Sequence, residues 1–154
     1  MTKNKPLLSW VEEMAKMCQP DRIHWCDGSG EEKARLEEEA VASGELIRLN
    51  SEKLPGCFFH RTNPNDVART EDLTFICTQD KNDVGPNNNW MSPEDGYEKA
   101  REIFTGSMVG RTMYVMPFSM GPVGSPFSKY GVELTDSIYV VLNMRIMTDR
   151  KSVV

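Results

Sequence analysis

GRTMYVMPFSMGPVGSP, Gly110 to Pro126, is the stretch from which the fold can be read. Thr112 to Met120 is a strand candidate, with apolar Met113, Val115, Met116 and Phe118. A Gly/Pro turn follows, Gly121 to Pro126, and then a weakly alternating short strand from Gly131 to Thr135, with Val132 and Leu134 on one side. Further on, Ile138 to Met147 is ambiguous. Its β-branched content suits a strand, while Asp136 as an N-cap suits a buried helix, and helix is the preferred reading.

Upstream of this stretch, helix signals alternate with strand signals. Leu7, Leu8, Val11, Met14, Ala15 and Cys18 recur at helical spacing between Pro6 and Pro20, which predicts an amphipathic helix over Lys5 to Cys18. Ile23 to Trp25 reads as a short strand ended by Asp27-Gly28-Ser29-Gly30. A second helix is expected from about Glu31 to Ser43, with Gly44 as its C-cap. Turn signals fill Asn50 to Asn65, with a possible strand at Cys57-Phe58-Phe59. Leu73 to Thr78 is a strand candidate, and Gln79 to Asn89 is so polar that it reads as a mobile loop. Ser92-Pro93-Glu94-Asp95 starts a helix that should reach Phe104: Ser as N-cap, Pro in first position, acids in the first turn. The interleaving of helices and strands predicts an α/β, or mixed α+β, layer arrangement, with no internal repeat and no domain boundary.

The chain has 154 residues, a net charge of -5 and 39% hydrophobic residues, enough for one core. An acidic balance argues against a general nucleic-acid binder, which needs a basic footprint. There is no apolar run of about 18 residues and no apolar h-region after the basic start, so neither a membrane span nor a signal peptide is expected. Cys18, Cys26, Cys57 and Cys77 form no CxxC pair and read as reduced thiols of a cytoplasmic protein. The two histidines stand near no nucleophile elbow, which leaves hydrolase readings without support.

Several blocks, in order, resemble the GTP-dependent phosphoenolpyruvate carboxykinases: CDGS at Cys26 to Ser29, NPNDVART at Asn63 to Thr70, NWMSPED at Asn89 to Asp95, then Gly110 to Pro126, GVELTDS and MRIMT up to Thr148. The resemblance covers Leu7 to Thr148. It implies a mixed sheet flanked by helices, the N-terminal, substrate-side domain of that fold, over residues 1–148, with 149–154 as a polar tail. It also implies an enzyme that converts oxaloacetate and GTP to phosphoenolpyruvate, CO2 and GDP, as in gluconeogenesis, with manganese and magnesium as metals. The family's metal ligands, phosphate-binding loop and lid lie beyond the equivalent of Thr148. The chain is therefore expected to be a truncated portion, poor at binding GTP, Mn2+ or Mg2+ alone, inactive by itself and missing a C-terminal domain. The alternative is a non-catalytic relative acting as a carboxylate-binding or interaction module.

By the same resemblance Arg69 is the substrate-binding residue. A planar guanidinium grips the carboxylates of oxaloacetate or phosphoenolpyruvate with two hydrogen bonds. Glu71, two residues on, falls on the same side of an extended segment and is either a support for Arg69 or a contact for the lid, or else simply an exposed acid. Without the resemblance, Arg69 beside Asp66 and Glu71 reads as a surface ion pair. Gly121 to Pro126 is not a P-loop, because two prolines remove N–H donors and no GK[ST] ending follows. A rigid turn is expected there, with Ser125 and Lys129 as weak anion-contact candidates. Arg111 and Arg145 are expected to pair with an acid such as Glu133 or Asp136. A strand puts His24 and Cys26 on one face, but two ligands do not make a metal site, and His60 stands apart.

Overall fold

A computed structural model describes residues 2–62 and 71–147, Glu71 by its backbone only. Helix α1, Lys5–Cys18, is capped by Asn4, whose side chain accepts the Leu7 N–H at 3.3 Å. It ends at Gln19 in the left-handed conformation (φ 57°). Strand β1 is Arg22–Trp25, and helix α2 is Gly30–Ser43, closed by Gly44 at φ 80°. Two short pairs follow: β2 (Ile47–Arg48) antiparallel to β3 (Phe58–Phe59), and β4 (Phe75–Ile76) parallel to β5 (Asn89–Trp90). Helix α3 is Pro93–Phe104, capped by Ser92. Then come β6 (Thr112–Met120), β7 (Lys129–Thr135) and helix α4 (Ile138–Met147).

The central sheet runs β1-β6-β7, with β6 parallel to β1 and antiparallel to β7, so it is mixed. The period-2 pattern of β6 splits the core in two. Tyr114 and Met116 pack with Cys26, Leu36, Ala40, Leu46, Ile138 and Val141, under α2 and α4. Met113 and Val115 pack with Val11 and Cys18 of α1 on the opposite face. Met113, Val115 and Met116 are wholly buried. Each such side chain contributes about 1.5–3 kcal/mol relative to exposure. Helices therefore cover both faces of the strand that organised the sequence reading.

Two expectations need correction, and a third gains detail. Leu73 to Thr78 supplies only the two strand residues of β4. Leu73 instead closes a 3-10 turn (Glu71–Leu73) and is 73% exposed, and the partner strand β5 is just two residues long. Gln79 to Asn89, expected to be a loop, contains a short turn of its own. Asp80 accepts the Asn82 N–H at 2.8 Å and caps a 3-10 turn over Lys81–Val84, whose apolar Val84 is buried. Finally, α4 is a helix as preferred, but Asp136 is not its cap. Ser137 Oγ accepts from Val140 N at 3.4 Å. The Glu45 carboxylate, from beyond the end of α2, accepts from Ser137 Oγ (2.7 Å) and Tyr139 N (2.9 Å). An acid at a helix N-terminus satisfies free N–H groups and opposes the dipole.

Candidate functional site

The carboxyl ends of the parallel strands β1 and β6 open into loops, the usual place for a ligand crevice in an α/β sheet. Two hollows lie there. One, of about 840 Å³, is bordered by Leu7 and Trp10 of α1, Trp25 at the end of β1 with Cys26 and Asp27 after it, Pro117 of β6, and Tyr130 to Val132 of β7. Cys26 N donates to Val115 O at 2.9 Å, so residues 113, 115 and 117 aim their backbone groups toward β1. The missing N–H of Pro117 therefore falls just where β1 has ended and no ladder bond is lost. Gly131 lies opposite Phe118 in the ladder, and a Cβ there would meet the Phe118 ring at 2.6 Å.

The second hollow, of about 290 Å³, is bordered by His24, Asp27, Ser29, Glu31, Glu32 and Arg35. Glu32 is its anchor, 5% exposed. Its Oε1 lies 2.8 Å from His24 Nε2 and accepts the Asp27 N–H at 3.1 Å, while Oε2 accepts the Gly28 N–H at 2.9 Å. Ser29 Oγ accepts the Glu32 N–H at 3.0 Å in return, while the Ser29 N–H itself donates to Asp27 Oδ1 at 2.7 Å, so the corner is a variant capping box whose acid serves the two N–H groups before the cap. Arg35 Nη2 also lies 3.2 Å from His24 Nε2. His24 meets Tyr114 edge-on at 5.7 Å. Burial, aided by the Glu39 charge, pushes the Tyr114 phenol up to about 12.

His24 and Cys26 do share a face, as expected, and Glu32 joins them. One ligand atom from each lies within 4.8 Å of the others. Sequence reasoning missed Glu32, although Ser29-x-x-Glu32 is a capping-box signal. Manganese and magnesium, the metals of the resemblance, prefer oxygen ligands. The cluster offers one carboxylate beside an imidazole and a thiol, and both of its oxygens already accept hydrogen bonds. It does not fit those metals.

Arg69 lies outside the described residues, and Glu71 is described by its backbone alone, so the geometry places neither side chain. His60 is far from the His24 cluster in role. Its Nδ1 meets Glu45 O at 2.7 Å and its ring stacks on Tyr139 at 3.9 Å. Ser125 serves the turn: its N–H bonds Pro122 O at 3.1 Å and its Oγ accepts from Phe127 N at 3.3 Å. Lys129 opens β7 opposite Met120. Arg111 pairs with Asp136, as one expectation had it. Arg145 does not pair with Glu133 or Asp136. Its Nη1 is buried and has no hydrogen-bond partner among the described residues.

Residues 9–153 match the family model described as the phosphoenolpyruvate carboxykinase N-terminal domain. Among curated proteins, the chain is 61% identical over 146 residues to a phosphoenolpyruvate carboxykinase (GTP) of Anaeromyxobacter dehalogenans, covering 95% of this chain and 24% of the relative. It is 53% identical over 147 residues to the protein of that name from Corynebacterium efficiens, covering 96% and 24%. The corresponding protein of an Arthrobacter species gives 53% over 148 residues, again 96% and 24%. The chain thus spans about a quarter of the length of the relatives it matches.

Proposed function

The chain belongs to the phosphoenolpyruvate carboxykinase N-terminal domain family, and from that premise we propose that it is the substrate-side portion of a GTP-dependent phosphoenolpyruvate carboxykinase. The observation that carries this reading is 61% identity over 95% of the chain to a relative of that name. In the joined enzyme, oxaloacetate loses CO2 and the enolate oxygen takes the γ-phosphoryl group of GTP. The remaining three quarters of the enzyme supply nucleotide and metal, a division supported by the poor fit of the His24 cluster to manganese and magnesium. This portion contributes Arg69, whose guanidinium holds a substrate carboxylate with two parallel hydrogen bonds and so orients the reacting carbon. Glu71 supports that arginine. Phosphoryl transfer depends on positioning and charge neutralisation, so an orienting arginine acts on turnover as well as on binding. The enzyme works in the cytoplasm.

A chimera tests the reading: residues 9–147 replace the matching stretch of the Anaeromyxobacter relative. It is expected to form phosphoenolpyruvate from oxaloacetate and GTP. Arg69→Ala in the chimera removes a charged contact of about 1.5–3 kcal/mol, so kcat/KM for oxaloacetate should fall about 10- to 100-fold. Parental kinetics in that variant would take Arg69 out of the site, and a dead chimera would count against the carboxykinase assignment.

A further inference from the structure

The corner that ties β1 to α2 contains a conflict at one atom. His24 Nε2 lies 2.8 Å from Glu32 Oε1 and 3.2 Å from Arg35 Nη2. A neutral imidazole offers either an N–H or a lone pair at that nitrogen, never both. The carboxylate calls for the N–H and the guanidinium for the lone pair, so one neighbour is always badly served. A cation in place of the guanidinium removes the conflict, because it takes a lone pair from the ring and another from the carboxylate. Cys26 supplies a third donor. One ligand atom each from His24, Cys26 and Glu32 lies within 4.8 Å of the other two. Cys26 and Glu32 are buried, and His24 is half-buried beside the hollow of about 290 Å³. Glu32 is also held by the Asp27 and Gly28 N–H groups. Outer hydrogen bonds of this kind orient a ligating carboxylate.

We propose that His24, Cys26 and Glu32 form a site for a borderline divalent cation of the zinc class, which clamps the end of β1 to the first turn of α2. The donor set decides the metal. An imidazole nitrogen, a thiolate and a carboxylate oxygen suit zinc, whereas manganese and magnesium would find one oxygen among the three. Zinc holds such atoms at about 2.0–2.3 Å, so the three ligands need to shift by roughly an ångström to enclose it. The fourth position falls to Asp27, which borders the same hollow, or to water. On binding, the Cys26 thiol gives up its proton to solvent. Arg35 must swing aside, and Glu39, 3.3 Å from its Nη1, is placed to hold it. The inference does not rest on the carboxykinase reading. It gives the cation a structural role and no part in the reaction.

Titration of the 154-residue chain tests it. Cys57→Ser and Cys77→Ser first remove the exposed thiols. The chain is then stripped with a chelator and titrated with Zn2+, Mn2+ and Co2+. One Zn2+ should bind per chain and raise the thermal midpoint, with no comparable response to Mn2+. Co2+ should give the charge-transfer absorption of a thiolate ligand, which Cys26→Ser should abolish. His24→Gln should weaken Zn2+ binding at least about 10-fold. Since both substitutions alter the corner itself, Arg35→Met supplies the opposite sign. Removing a neighbouring positive charge should tighten Zn2+ binding roughly threefold or more, a gain that a damaged fold does not produce. A chain that binds no Zn2+ would overturn the proposal. So would Co2+ binding without thiolate absorption, Mn2+ binding as tight as Zn2+, unchanged Zn2+ affinity in His24→Gln, or unchanged or weaker affinity in Arg35→Met.

Discussion

Glu32 receives the His24 ring and two backbone N–H groups with its two oxygens, and it ties the end of β1 to the start of α2. Glu32→Ala leaves buried donors unsatisfied and should destabilise the chain by about 1–3 kcal/mol or more, read from urea midpoints. Glu32→Gln keeps one acceptor and should lose less. Tyr114 gives a pH prediction. Its phenol titrates near 10 in an unfolded chain and at about 12 in the fold. Below pH 10 both states hold the proton and the stability is whole. As pH rises from 10 toward 12 the unfolded state releases its proton first, so stability falls across that window. Urea midpoints between pH 9 and 12 should show the fall, and Tyr114→Phe should make it shallower; the same slope in both proteins would sink this account.

At the scale of elements, α4 owes its start to a residue far away in the chain. Glu45 reaches Ser137 Oγ and the Tyr139 N–H across more than ninety positions. Glu45→Ala should cost about 0.5–2 kcal/mol, the range for a lost N-cap, and loosen α4 before the sheet; hydrogen exchange at Tyr139 to Val141 would report it. The β6–β7 ladder depends on Gly131, because the Phe118 ring occupies the space of a side chain there. Gly131→Ala should therefore destabilise by about 1–3 kcal/mol through overpacking. Phe118→Leu should restore part of the loss in the double variant, since the two sites share one space. Additive losses would show that the ring was not the obstacle.

On the scale of the whole molecule, the sheet has α1 on one face and α2 with α4 on the other, yet much apolar surface stays bare. Phe127 at the β6–β7 turn is 87% exposed, Tyr97 on α3 71%, and Ile146 and Met147 lie open at the end of α4. The isolated chain should bind a hydrophobic dye. Ile146→Glu with Met147→Lys should reduce that signal, and joining the chain to the rest of the relative should abolish most of it.

The sequence alone determined what is local. Helical spacing and flanking prolines marked α1 to its observed ends, Ser92 and its acids marked α3, and the alternation of Thr112 to Met120 marked the strand that carries both halves of the core. These signals lie within a few residues of the structure they specify, because caps, turns and periodicity act over one or two turns of chain. The pairing of His24 and Cys26 on one face was readable for the same reason. Only the tertiary structure decided which acid caps α4, which partner Asp136 takes, that Glu32 closes the His24 corner and that Arg145 Nη1 finds no acceptor among the described residues. Each depends on where distant segments meet, as Glu45 and Ser137 do. A side chain's partner is chosen by the packing of whole layers, and no local propensity encodes that choice.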